Sequence, residues 1–268
     1  MAEKVTIITV SYNSEKTIED TFLSVLNQSF RPLEYVLVDG GSTDRTMDIV
    51  QKYISVFKEN GIDFWFKSET DEGISDAFNK GIWKSSGDII GIINSDDCLA
   101  EEAIEHIVNT FDDETDVVCG DCVWVDKVNN LQYVRKSKLK LKKLKYEMVL
   151  MHPTCFVRKR AYEKYGVFDI NLRYVMDKEL MARFYKKGAK FKYTSSIIAI
   201  MSAGGTSDTD MKRVYQEGVE VAIRNGVPRW KAELRWRYKR ILSAVIILIK
   251  KNATLWMALK SKRINGFI

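Results

Sequence analysis

The chain has 268 residues, 46% of them apolar and 29% charged, which argues against a disordered protein and leaves room for either one α/β domain with an appendage or two domains. No low-complexity segment or internal repeat is present. The net charge of +6 is uneven: residues 229–268 carry eleven Lys/Arg against one acid, Glu233, while the remainder has 31 basic and 35 acidic residues, so a polyanionic partner is expected at the tail.

The N-terminus, "MAEKVTIITV", lacks a basic region leading into an apolar core and cleavage site, so no secretory leader is expected. "KVTIITVSYN" is an apolar, β-branched run of strand length that stops at Ser11-Tyr12-Asn13. A helical pattern follows, with Ile18, Phe22, Val25 and Leu26 on one face. "LEYVLVDGGSTD" repeats the scheme: a strand ending in Asp39 and two glycines, then a helix expected to be capped by Ser42 or Thr43, with Met47, Val50 and Tyr53 inward. "IDFWFKSE" predicts a third strand, residues 73–85 a third helix, "DIIGII" a fourth strand and "AEEAIEHIVNTF" a fourth helix. Such alternation predicts right-handed βαβ units and a largely parallel sheet buried on both faces. Ligands collect beyond the carboxyl ends of such strands, where Asn13, Asp39 and the Asp96-Asp97 pair would gather.

After Asp116 the pieces shorten. "DVVCGDCVWVD" and "NLQYVRKSK" predict a hairpin turning through Lys127 to Asn130. Cys119-Gly-Asp-Cys122 has the spacing of a redox or zinc pair, but the chain has four cysteines with no second pair, and its histidines are His106 and His152. Core thiols in a reducing, cytosolic setting are expected. "RKSKLKLKKLK" sets seven basic residues around Leu139, Leu141 and Leu144, either as a solvated face or as a loop facing membrane or acceptor. "MHPTCFVRKRAYEKYGVFD" predicts a strand over Thr154 to Val157 and a short helix ending near Gly166. "DKELMARFYKKGAKF" predicts a helix with Leu180, Met181 and Phe184 inward, and "KFKYTSSIIAIM" a strand. The Gly-rich "SAGGTSDTD" and an amphipathic helix from Met211 to Asn225 follow. From Pro228, "RWKAELRWRYKRILSAVIILIKK" interleaves aromatic and basic residues before a short apolar run. A spanning helix needs about 20 apolar residues, so the tail is either an amphipathic helix lying in a membrane interface or a helix packed on the core.

Three sites carry candidate chemistry. The fourth strand ends in Asn94-Ser95-Asp96-Asp97, offering hard oxygen ligands suited to Mg²⁺ or Mn²⁺ rather than zinc; an Asp pair there also serves as a helix N-cap. Asp39 at the second strand end can accept from a nucleobase imide or ribose hydroxyl, with Gly40 and Gly41 allowing close approach, or it can cap the next helix. His152 is either structural or a ligand for an acceptor.

Taken in order, "TVSYN", "VDGGSTDRT", "DAFNKGIWKSSGDIIGIINSDD", "MHPTCFVRK" and "VMDKELMARFYKKG" resemble the nucleotide-sugar glycosyltransferases of family 2 from Val5 to about Gly205. The resemblance implies the GT-A fold: an α/β, Rossmann-like, mostly parallel central sheet flanked by helices, here with a C-terminal helical extension. Residues 1–115 would form the nucleotide-sugar half and 116–227 the acceptor half, with 228–268 a basic amphipathic tail. It further implies donor contacts from Ser11, Asn13, Asp39 (to the base, most often uracil), Asp76, Asn79, Ser95 and Asp96. A divalent metal, Mg²⁺ or Mn²⁺, would sit on Asp96 with Asp97 beside it, and Asp177 would be the catalytic base. His152 would lie near the acceptor, and Gly204 and Gly205 in a loop closing over the diphosphate. Two positions depart from the family pattern: Asn94 replaces the first metal carboxylate, and Met176 replaces the acid before the base.

The implied activity is inverting transfer from a nucleoside diphosphate sugar, with UDP expected, to a glycan or polyprenyl-diphosphate-linked acceptor in surface polysaccharide synthesis. The implied location is cytoplasmic, peripheral at the inner face of the cell membrane, with no nucleic acid partner. Two rivals compete with it. A sugar-phosphate nucleotidylyltransferase would show a Gly-rich, basic loop after its first strand, which "SYNSEKT" matches poorly. A non-enzymatic basic protein binding membrane or nucleic acid rests on the tail alone.

Overall fold

A computed structural model describes residues 3–204 and 210–251. The first half follows the alternation of the sequence: β1 (Val5–Ser11), α1 (Ile18–Leu26), β2 (Leu33–Asp39), α2 (Thr46–Glu59), β3 (Ile62–Ser68), α3 (Ile74–Lys84), β4 (Ile89–Ile92), β5 (Cys98–Leu99) and α4 (Ala103–Val108). The second half comprises β6 (Val117–Asp126), β7 (Leu131–Arg135), β8 (Phe156–Arg158), α5 (Lys159–Tyr165), α6 (Met176–Lys186), β9 (Phe191–Ser202), α7 (Met211–Arg224) and α8 (Arg229–Lys251). The strands form one sheet in the order β3-β2-β1-β4-β8-β6-β9-β5, with β7 paired to β6.

The sheet is parallel through β3-β2-β1-β4 and again between β6 and β9; β8 runs antiparallel to both β4 and β6, so the second half is mixed. Register decides where the chemistry falls. Val5 pairs Leu33, which pairs Ile62, and at the far end Ser11 pairs Asp39, which pairs Ser68. Three strands of equal length therefore terminate along one line.

The alternation of side chains splits the core. Ile7, Tyr35 and Leu37 pack with α1, α2 and α4 on one face, whereas Ile8, Val36, Val38 and Ile90 meet α3, α5 and α6 on the other. Phe22, fully buried on α1, stands 5.2–6.2 Å by ring centroid from Tyr35, Tyr53, Phe57 and Phe64. Such aromatic pairs add about 0.5–1.5 kcal/mol each beyond area burial. They bind α1 and α2 to β2 and β3.

Three expectations shift. Helix α2 begins at Thr46, with no side-chain cap, because Ser42 and Thr43 instead bond residues of neighbouring loops. Helix α4 is only six residues, since Ala100 is held by the Ile198 carbonyl beside the β5-β9 pairing. Strand β8 starts at Phe156, and His152 to Thr154 form a 3₁₀ turn before it. The expected thiol role holds: Cys119 and Cys122 are buried in opposite halves of the core, and all four cysteines are free. Helix α8 packs on α7 through Ala232 and Trp236. Among the described residues, no helix is long and apolar enough to cross a membrane.

Candidate active site

The carboxyl ends of β1, β2 and β4 open into a cleft of about 1150 Å³. Its lining brings together Asn13, Asn94, Asp96, Asp97, His152 and Asp177, residues spread over 165 positions of sequence, with Ser11 and Ser95 beside them.

Asp39 lies at the root of this edge and is fully buried. Oδ1 accepts from the Ser11 hydroxyl (2.8 Å) and the Ser42 hydroxyl (2.5 Å). Oδ2 accepts from Gly41 N (3.1 Å), Ser42 N (2.8 Å) and the Ser68 hydroxyl (2.6 Å). The expected free acceptor for a base is therefore engaged by its own protein: five donors from three adjacent strand ends satisfy the carboxylate and fix the loop after β2. Asn13, at φ +50°, ties the loop after β1 to the same turn, its amide oxygen accepting from Thr43 N at 2.9 Å and its own N–H donating to the Ser42 hydroxyl at 2.8 Å. Gly40 faces Asp71, and a Cβ there would come within 2.7 Å of the Asp71 carboxylate. Asp71 also lines the cleft. It is a carboxylate the motif reading passed over, although the same strand-end logic, applied three residues beyond β3, points to it.

The turn after β4 is built from within. The Ser95 hydroxyl meets the Ser14 hydroxyl at 2.8 Å, joining the loops after β1 and β4. Asp97 is 3% exposed and accepts from Ser202 N (3.0 Å) and the Asn94 amide (3.3 Å). Burial first, and the neighbouring Asp96 second, push its carboxyl up to about 7. Burial also raises Asp96, the more accessible of the two. The Asn94 amide oxygen is buried and has no hydrogen-bond partner. Two crowded carboxylates and an orphaned oxygen acceptor fit a hard divalent cation, whose remaining positions would go to diphosphate oxygens. Among the described residues no group of three or more His, Cys, Asp or Glu is placed to hold a metal, so such a shell is incomplete without the ligand.

Asp177 stands in the first turn of α6, its carboxylate accepting from the Lys178 backbone N–H at 2.6 Å. His152 packs against the rings of Phe78 and Phe168, at 5.8 and 6.0 Å. Burial lowers its pKa, and the negative charge of Asp177, which lines the same cleft, opposes that effect. Arg173 and Tyr174, missed by the motif reading, line the cleft just before Asp177.

Two expected donor residues lie elsewhere, as does Gly204 of the expected closing loop. The Asn79 amide is used on both sides, donating to the Phe168 carbonyl and accepting from Phe168 N, each at 2.9 Å. With the Ser75 hydroxyl on the Leu172 carbonyl at 2.6 Å, it pins the loop leading to α6. Asp76 pairs with Lys80 at 3.0 Å, outside the cleft lining. Gly204, exposed at φ +95°, is also outside the lining, whereas Met201 and Ser202 before it are within; Gly205 falls outside the described residues.

Known proteins share both sequence and shape. A "PGL/p-HBAD biosynthesis glycosyltransferase" of Mycobacterium bovis is 25% identical over 230 residues, 84% of this chain and 87% of that protein. An "Uncharacterized glycosyltransferase" of Haemophilus influenzae is 35% identical over 105 residues, 39% of this chain and 41% of that one. S. aureus TarS 1-349 superposes with a TM-score of 0.66 at 22% identity, over 83% of this chain and 65% of that one, under two thirds of its length. The mannosyltransferase PcManGT from Pyrobaculum calidifontis, solved with GDP-Man and Mn²⁺, gives 0.64 at 18% identity over the whole of this chain and 77% of that one. Residues 6–166, more than half of the chain, match the family model described as Glycosyl transferase family 2. The chain therefore belongs to glycosyl transferase family 2, a glycosyltransferase with the GT-A fold.

Proposed function

We propose that the protein moves a sugar from a uridine diphosphate sugar to a hydroxyl of a glycan or lipid-linked saccharide, with inversion, as a step in surface polysaccharide synthesis. The observation that carries this reading is the single cleft lined by both Asp96 and Asp177. Asp177 takes the proton of the acceptor hydroxyl while its oxygen attacks the anomeric carbon and the bond to the diphosphate breaks. Direct displacement assisted by one base inverts that centre. Asp96, supported by Asp97 and the Asn94 oxygen, would hold Mg²⁺ or Mn²⁺, which supplies positive charge to the departing diphosphate. Asp39 acts in base recognition by fixing the turn that floors the pocket, while Asn13 sets the loop above it. The TarS fold has been solved with UDP and with UDP-GlcNAc, which supports uridine as the base, and the GDP-Man and Mn²⁺ complex of PcManGT supports a divalent cation.

The test is a screen of nucleotide sugars for thermal stabilisation with and without Mn²⁺. A donor at 100 times its Kd adds about 2.7 kcal/mol to the folded state. The expected result is stabilisation by one UDP-sugar that disappears with chelator. Equal stabilisation with chelator sinks the metal assignment, and stabilisation by nucleoside triphosphates with release of pyrophosphate sinks the transferase reading.

Helix α8 supports the peripheral attachment. Trp230, Leu234, Tyr238 and Ile241, at steps of four, four and three, are 61–65% exposed and lie along one helical face. Arg229, Lys231, Arg235, Arg237 and Arg240 surround them. An apolar stripe bordered by arginine suits an anionic lipid surface, in which the helix lies flat. Flotation with phosphatidylglycerol vesicles should carry the full chain up and leave a chain ending at residue 228 at the bottom; equal flotation of both removes the tail from this role.

A further inference from the structure

Residues 173–178 run into and through the base position, and α7 grips them on both sides. Before Asp177, the Glu217 carboxylate accepts three consecutive backbone N–H groups: Arg173 at 3.1 Å on Oε1, then Tyr174 at 2.8 Å and Val175 at 3.2 Å on Oε2. After it, the buried Lys178 ammonium donates to the carbonyl of Gly218 at 3.2 Å. Two adjacent residues of α7 thus flank one residue of α6. Val175, at the N-cap position of α6, makes no side-chain cap bond; its N–H and those of the two residues before it go to Glu217, whose negative charge thus stands at the positive end of the helix dipole. Position 218 must be glycine for the grip to close: a Cβ there would run into the Trp236 ring of α8. That ring in turn lies 5.7 Å from the Lys178 ammonium.

We propose that Glu217 is a positioning residue for catalysis: by holding the 173–175 backbone it sets Asp177 against the reacting hydroxyl and aims Arg173 and Tyr174 into the cleft. The inference rests on Asp177 being the base. Glu217 does not itself line the cleft, and its oxygens are used on the loop backbone. Its removal is therefore expected to slow the chemical step and spare donor affinity.

The experiment compares Glu217→Ala, Glu217→Gln and Asp177→Asn by UDP release from the most stabilising UDP-sugar, with rates normalised to the fraction of protein that binds UDP. Displacement of a catalytic group by about 1 Å costs on the order of 10²-fold in rate, so Glu217→Ala should lose about 10- to 100-fold in kcat with donor KM within about twofold. Glu217→Gln, which keeps one acceptor oxygen, should fall between it and the wild type. Wild-type kcat in both Glu217 variants, beside an inactive Asp177→Asn, overturns the clamp alone. So does a loss that vanishes once rates are normalised to the fraction that binds UDP, or one matched by donor KM. An Asp177→Asn variant that runs at the wild-type rate overturns the base assignment instead, whatever Glu217 does. Should Glu217→Ala not fold, the Gln variant alone decides between these outcomes.

Discussion

Replacing Asp177 with asparagine is expected to lower the rate of sugar transfer by about 10²- to 10⁴-fold, the usual contribution of a positioned general base, while UDP binding stays unchanged. The substitution is close to isosteric, so the amide oxygen can still accept from Lys178 N and the start of α6 is preserved. What disappears is the basic oxygen and its charge. His152 provides an internal control. Burial lowers its pKa and the Asp177 carboxylate opposes the shift, so in the asparagine variant the imidazole should titrate lower still. Proton NMR of the histidine C–H resonances reads that shift directly. A slow variant with an unmoved His152 would mean that the carboxylate acts at a distance from the imidazole, and a variant of full activity would remove Asp177 from the reaction.

The first half of the fold is legible in the sequence because parallel strands covered on both faces write near-continuous apolar runs, and the residues ending them must fall on one edge. Asn13, Asp39 and the Asp96-Asp97 pair could be placed there before any coordinates. Their bonding could not. That Asp39 spends its oxygens on five donors follows from the equal lengths of three strands, which brings hydroxyls from β1 and β3 onto a carboxylate of β2. A motif identifies such a residue without distinguishing whether it grips a ligand or the loop that grips the ligand.

The second half is harder to read for a related reason. Strand β8 has three residues and β5 two, too short for any period to show. Asn79 looks like a donor contact from its place in "DAFNKG", yet both ends of its amide close on Phe168, 89 residues later. Glu217 has no local signature at all, since its partners lie 42 to 44 residues away and are backbone groups that any residue type supplies. A residue that holds distant backbone thus leaves no mark in the sequence, whereas Asp39, which holds the turn two and three residues on, sits inside the motif that turn belongs to.

Asp96→Ala should abolish metal-dependent stabilisation by the donor and cost about 10²- to 10³-fold in kcat, on the order of 2.7–4 kcal/mol, as expected when a major source of leaving-group charge stabilisation is lost. Without a cation both carboxyls are pushed upward, Asp96 by burial and Asp97 to about 7 by burial first and repulsion from Asp96 second. A divalent cation relieves that repulsion, and with Asp96 gone Asp97 remains tied to Ser202 N at the back of the site. Asn94 sharpens the test. Its amide N–H₂ donates to Asp97 at 3.3 Å while its oxygen is left without a partner, so the neutral side chain steadies the pair and still offers an acceptor. Asn94→Asp, which restores the acid the family pattern carries here, should bind Mn²⁺ more tightly but melt at lower temperature in chelator, because a third buried carboxylate then faces Asp97 with no counter-charge. Calorimetric titration of Mn²⁺ with UDP, paired with melting curves in chelator, separates the two effects. Unchanged affinity in both Asp96→Ala and Asn94→Asp would place the cation elsewhere in the cleft.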